Sequence, residues 1–139
     1  MARIFGADRH TKRLASLRGP RVLRGVTAAL FAGAQDITID AQLSITRGAV
    51  SGKNHVASAP GEPPNADTHV LANSGEATVV GPLKAESSFN APYAAAQELG
   101  SEKLGLPERP YHRPAAQRGR PKVQRRVLHA INKVVRAGA

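Results

Sequence analysis

Between Pro20 and about Val50, Leu23, Val26, Leu30, Ala34 and Ile37 recur at three- and four-residue spacing. That spacing is the period of one face of an α-helix. Pro20 suits a first helical position, where its missing N–H would have no partner anyway. Ala28, Ala29 and Ala32 are good helix formers, and the pattern runs on through Ala41, Leu43 and Ile45. Ile37-Thr38-Ile39 alternates and also fits a strand, and Gly25 and Gly33 weaken the helical reading. A long helix with one apolar stripe must cover that stripe with other elements of the chain.

The rest of the chain supplies candidates. Residues 1–12 read as a polar, flexible N-terminal arm, and Leu14 and Leu17 fit a short helical turn before Gly19-Pro20. Residues 51–68 form an extended loop, because Pro60, Pro63 and Pro64 with Gly52 and Gly61 preclude a helix. Loops of this length are functional or disordered. Glu76–Val80 and Ala85–Phe89 read as two strands around Gly81-Pro82, pairing as an antiparallel hairpin. Tyr93–Leu99 is a short helical segment closed by Gly100. Residues 101–114 form a second loop with Pro107, Pro110 and Pro114. Val123, Val127, Ile131, Val134 and Val135 lie on one face of a C-terminal helix over residues 121–136. The expected fold is a single α+β domain spanning residues 1–139. Its small antiparallel sheet packs against a long N-terminal helix and a C-terminal helix.

Charge narrows the function. The 139-residue chain carries 20 Lys+Arg and 10 Asp+Glu, a net charge of +10. Residues 1–25 hold seven basic residues and one acid, residues 26–108 four and nine, and residues 109–139 nine and none. The total suggests a polyanion partner, and a basic nucleic-acid-binding protein of ribosomal or nucleoid type is one reading. The acidic middle argues against a chain that only coats phosphate. Both signs together suit a protein that binds copies of itself. The aromatic set is Phe5, Phe31, Phe89, Tyr93 and Tyr111, too sparse for a row of base-stacking platforms.

Catalytic and cofactor chemistry find no pattern. There is no cysteine, hence no disulfide, thiolate zinc site or thiol nucleophile. His10, His55, His69, His112 and His129 are scattered without metal-ligand spacing. The segment from Gly48 to Asn54 is the nearest approach to a phosphate-binding loop and fails at its last position. Asp36 and Asp40, one helical turn apart, read as a solvated helix face. No enzyme activity, metal or cofactor is expected. No membrane span is expected either, since the apolar runs are short, and MARIFGADRH lacks the apolar core of a secretory signal.

Residues 58–116 resemble a family of small neck proteins of long-tailed bacteriophages. SAPGEPPNADTHVLANS is similar to that family's Pro/Gly-rich segment. APYAAAQELG, from Ala91 to Gly100, resembles its Pro-Tyr-Ala motif with a following Glu and Gly. Arg109-Pro110-Tyr111-His112-Arg113-Pro114-Ala115 resembles its Arg-Pro-aromatic motif before a terminal helix. The resemblance departs at Thr68-His69-Val70, at Tyr111, where Phe is more frequent, and at His112, an often apolar position.

The resemblance implies a structural virion protein for tail completion or head–tail joining. It implies a ring, homo-hexameric by family pattern, between the DNA-filled head and the tail. Implied partners are a head-side connector, adaptor or stopper and a tail terminator or tail tube protein. DNA would pass through the channel without sequence-specific binding. The implied location is the virion neck, with synthesis in the bacterial host cytoplasm. Under this reading Tyr93, Glu98, Arg109, Tyr111, Arg113, Arg125 and Arg126 are candidate subunit or partner contacts. Glu98 is expected to pair with Arg109 or Arg113, within or between subunits, so that Glu98→Lys blocks assembly with the fold intact. Tyr93 is expected to anchor packing through its ring and hydroxyl. Lys53, His55, Pro60, Glu62, Pro63 and Pro64 are candidates for an assembly loop that orders only when it reaches a neighbour.

Overall fold

The computed structural model describes residues 6–137. Helix α2, Pro20–Thr46, is the long helix predicted from the apolar period, with Pro20 in its first turn. It ends before Val50 because Arg47 turns extended and Gly48 takes a left-handed φ of 73°. Its buried stripe is Val22, Val26, Gly33, Ala34, Thr38, Ala41 and Ile45. Ile37-Thr38-Ile39 is therefore helical, and Thr38 tolerates burial because its hydroxyl donates to the Ala34 carbonyl at 2.9 Å.

The chain before α2 is a second helix, α1, Ala7–Ser16. The expected flexible arm of residues 1–12 lies partly outside the described residues, and its described part from Ala7 is helical. Good helix formers and Asp8 in the first turn account for this. None of its residues is buried, and it rests on the C-terminal helix.

After the long loop come α3, Val70–Asn73, and the hairpin strands β1, Gly75–Gly81, and β2, Lys84–Phe89. They pair antiparallel, Gly75 opposite Phe89 and Val79 opposite Ala85, with an irregularity between Val79 and Gly81. The hairpin lies on α2, and its tip is tied there by the Leu83 amide, which donates to Thr27 Oγ1 at 3.1 Å. Helix α4, Ala94–Leu99, follows, then helix α5, His112–Ala137. The fold is α+β: a two-stranded antiparallel sheet packed against long helices, as predicted.

The C-terminal helix begins nine residues earlier than the expected Pro121. Pro114 falls in the first turn, where no N–H is needed. Pro121 lies inside the helix on an exposed position. Helices α2 and α5 run antiparallel in close contact. A Cβ on Gly33 would stand 2.5 Å from Val123 Cγ2, and one on Gly119 would stand 2.6 Å from Ile37 Cγ1. Each helix thus offers a glycine hole to a β-branched knob of the other. The core gathers at one end of this pair. Ala41, Ile45, Ala66, Leu71, Ala72, Ala91, Ala94, Tyr111 and Ala115 form it, and Ile45 is its one large side chain in full burial among the described residues.

Candidate functional site

The junction between α4 and α5 is where the candidate residues converge. Gly100 turns the chain out of α4 with φ of 73°, a conformation rare for side-chain-bearing residues. A Cβ there would also stand 2.9 Å from the Glu108 amide nitrogen and 3.0 Å from the Leu106 carbonyl. Residues 101–106 close as a small turn, Ser101 bridging Leu106 around a 3-10 segment, Glu102–Leu104. The Arg109 amide then donates to the Gln97 carbonyl at 2.7 Å, which sets the chain back beside α4.

This return places the start of α5 on the Glu98 carboxylate. Oε2 accepts the amides of Tyr111 and His112, both at 2.9 Å. Oε1 accepts the Arg113 amide at 2.9 Å and its Nε at 3.2 Å. The first turn of a helix leaves its N–H groups without partners inside the helix and carries partial positive charge. A carboxylate from α4 satisfies three amides at once, so α5 can begin at His112 although no local side chain caps it. The Glu98 side chain is 12% exposed. Burial alone would push its pKa up, but the three amides and Arg113 outweigh burial and hold it below the usual carboxylate value.

Its neighbours feel that anion. Tyr111 is 2% exposed, stacks edge-on against Phe89 at 5.0 Å, and donates its hydroxyl to the Ala94 carbonyl at 3.3 Å. Burial, then the charge of Glu98, pushes its phenol up to about 12. Burial lowers the His112 pKa, against an opposing pull from Glu98.

His112 also closes a chain of hydroxyls. Thr38 Oγ1 spends its proton on Ala34, so at 2.7 Å from Ser87 Oγ it accepts. Ser87 Oγ, its proton used on Thr38, accepts from His112 Nε2 at 2.9 Å. The imidazole therefore donates to the serine, the reverse of the polarity by which a base activates a nucleophile. The chain ties α2, β2 and α5 together. Ser87 and His112, 25 residues apart, carry no spacing signal that could have paired them in advance.

The other candidate residues scatter by role. Of the two expected partners of Glu98, Arg113 is the one it meets, and Arg113 also reaches Glu108 Oε2 at 3.3 Å. Arg109 instead donates its Nε to the Ser58 carbonyl at 3.2 Å. Tyr111, expected at an interface, is core, because its ring fills the space between Phe89 and α4. The anchoring role expected of Tyr93 falls to Tyr111, and Tyr93 is 41% exposed. Arg126 is half-buried on Asp36, Nη2 to Oδ2 2.7 Å, while Arg125 is exposed. Asp36 and Asp40, expected as a solvated helix face, are partly exposed and ion-paired to α5. Lys122 Nζ also meets Asp36 at 2.8 Å, and Arg118 Nη2 meets Asp40 at 2.8 Å. One helical turn separates Asp36 from Asp40, and the same spacing joins Arg118, Lys122 and Arg126, so the two rows match across the antiparallel pair. The spacing of Asp36 and Asp40 and of Lys122 and Arg126 is present in the sequence, but Arg118 fell outside the helix expected over 121–136.

The loop of residues 51–68 corrects another expectation. It is tied within the single chain rather than awaiting a neighbour. Ala66 N donates to Ile45 O at 3.0 Å, Gly61 N to Glu108 O at 2.9 Å, and Gly52 N to Asp67 Oδ1 at 2.8 Å. Pro64 is buried and His55 and Pro63 are half-buried, whereas Lys53, Pro60 and Glu62 are exposed.

Among the described residues, no three His, Cys, Asp or Glu side chains gather as metal ligands would, and no helix is long and apolar enough to cross a membrane. Comparison of the chain with family models, curated proteins and solved structures gives no match.

The titrations give opposite effects at the two ends of the pH scale. The folded His112 holds its proton less tightly than the ordinary 6.5, and the folded Glu98 less tightly than 4.5. Both contributions are whole above those ordinary values and drain as pH falls, His112 first and Glu98 after it. Tyr111 is shifted upward, so its contribution is whole below pH 10.0 and drains as pH rises toward about 12. Urea titrations at fixed ionic strength are expected to show a stability plateau from about pH 7 to 9, with losses on both sides. A Tyr111→Phe chain is expected to lose part of the alkaline decline, and an unchanged decline contradicts the assignment to Tyr111.

Proposed function

We propose that this chain is a structural subunit of the bacteriophage neck, assembling as a ring that joins the DNA-filled head to the tail. The observation that carries the reading is the Glu98 junction. The two segments that resemble the neck-protein motifs, Ala91–Gly100 and Arg109–Ala115, meet there through four hydrogen bonds donated to one carboxylate. Their order and spacing thus have a common physical purpose, which supports reading them as one signature rather than as separate short coincidences.

The surface supports assembly. Among the described residues, seven of the twelve buried hydrophobic residues are alanine, while Val56, Leu83, Leu99 and Leu104 stand 71%, 48%, 63% and 68% exposed on a loop, the hairpin tip, the end of α4 and the turn after it. A thin core with apolar loop tips suits a subunit that completes its burial against neighbours. In this reading the chain makes no chemical transformation. It contacts its own copies, a head-side connector and a tail protein, with DNA passing through the channel.

The alternative of a nucleic-acid-binding protein meets a counter-observation, since Arg118, Lys122 and Arg126 are occupied by Asp36 and Asp40. The test is electron microscopy of the purified chain and of tailed particles lacking it, before and after its addition. Rings, or restored joining of heads to tails, are the expected result. A chain that stays monomeric, leaves particles unjoined and binds duplex DNA at physiological salt with a steep salt dependence would sink the proposal.

A further inference from the structure

A groove of about 970 Å³ opens between the first turns of α2 and the last turns of α5. Gly25, Ala29 and Val134 give it an apolar floor, and Arg21, Arg125 and Lys133 stand on its rim. These three cations are exposed and make no salt bridge among the described residues. A ligand for this groove needs apolar contact and negative charge together.

The opposite end of the molecule carries that combination. Leu99, the last residue of α4, lines one depression with Glu102, Leu106 and Glu108, and Lys103 is not part of that lining. Glu108 is held by Arg113, so Glu102 is the acid there without a salt bridge among the described residues. Glu62 is exposed on the neighbouring loop, which Gly61 ties to Glu108. Within one chain the two surfaces cannot meet. The loop sits at Arg113, and Lys133 lies twenty residues further along α5, about 30 Å at 1.5 Å per residue.

We propose that the groove receives the loop of residues 99–108 from a second copy, so that subunits associate head to tail. The contact is heterologous, a basic apolar groove on an acidic apolar loop, and repeats until the rotation closes a ring. It rests on the ring reading above and specifies which surfaces form it. Leucine contact supplies burial and the charges set polarity, since groove-to-groove and loop-to-loop pairings place like charges together.

Charge reversal tests the pairing by sedimentation across a concentration series. Glu102→Lys and Lys133→Glu are each expected to weaken self-association at least tenfold, and the two together to restore most of it. Neither residue holds a salt bridge among the described residues, and circular dichroism is expected to report an unchanged fold. Because the chain lacks cysteine, a Leu99→Cys/Lys133→Cys variant under mild oxidation reads the geometry directly. A ladder of linked species is expected, since each copy offers one thiol to each neighbour. Rings that persist through both reversals, with no ladder, overturn this inference and leave the ring reading standing. A wild-type chain that stays monomeric and also fails to join particles overturns both. Duplex DNA binding that Lys133→Glu abolishes, without self-association, assigns the groove to nucleic acid instead.

Discussion

Replacing Glu98 by alanine is expected to lower the unfolding free energy by about 3 kcal/mol, as measured by urea denaturation. The magnitude follows from what the carboxylate holds. Three amides of the first turn of α5 and the Arg113 guanidinium lose their acceptor together. Hydrogen bonds to a charged group contribute roughly 1.5–3 kcal/mol each, but water reaches part of the exposed Arg113 side, so the sum is well below four full bonds. Glu98→Gln is expected to cost about half as much. Its oxygen still accepts on one side, while its NH2 turns two donors toward an amide. A loss below about 0.5 kcal/mol for the alanine variant would show that the junction is not what starts α5.

The same geometry changes what Glu98→Lys should do. Pairing between subunits would leave the fold intact in that variant. A lysine here instead sets a cation against the positive end of α5 and against Arg113, so folding itself fails before assembly is tested. A Glu98→Lys chain with native stability would reverse this assignment.

The second large effect is expected at the seam between α2 and α5. Gly33→Val is expected to cost about 3 kcal/mol, and Gly119→Val a similar amount, near the top of the range for overpacked cores. The added Cβ falls 2.5 Å and 2.6 Å from Val123 and Ile37 respectively. Both neighbours branch at Cβ, so neither swings aside without moving its helix. A shift of the helices would also stretch the ion pairs of Asp36 and Asp40 that span the same seam. Alanine is the sharper probe, because it gains about 1 kcal/mol of helix propensity over glycine while adding the same clash. Gly33→Ala is therefore expected to be destabilising alone and to recover when combined with Val123→Ala. Thermal and urea unfolding of the four chains of that cycle measure the coupling. Additive effects would mean that the two residues do not interlock.

Much of the architecture was legible because it depends on local periodicity. The α2 stripe, the two strands about Gly81-Pro82 and the Gly100 stop each follow from neighbours within a few residues. The acidic pair of α2 and the basic row of α5 were not matched in advance, because the expected helix over 121–136 left Arg118 outside it and only the antiparallel setting of α2 and α5 brings the rows together.

Other features were decided by residues distant in sequence. Proline-rich residues 107–114 look like a loop at every local scale, yet α5 begins at His112 because Glu98 has been carried to its first turn. Gly33 reads as a weak point in its helix, and Gly119 lay outside the expected C-terminal helix, until Val123 and Ile37 fill the space over them. Tyr93 and Tyr111 have similar local surroundings, and only the packing of Phe89 puts one in the core and leaves the other exposed. While the start of α1 and all of α3 went unread, periodicity assigned α2, the two strands and the body of α5, since a side chain's place on a helix or strand is set by its own backbone. Their ends, their contacts and the burial of each polar group waited on the tertiary fold, which alone brings a carboxylate to unpaired amides or a methyl to a glycine.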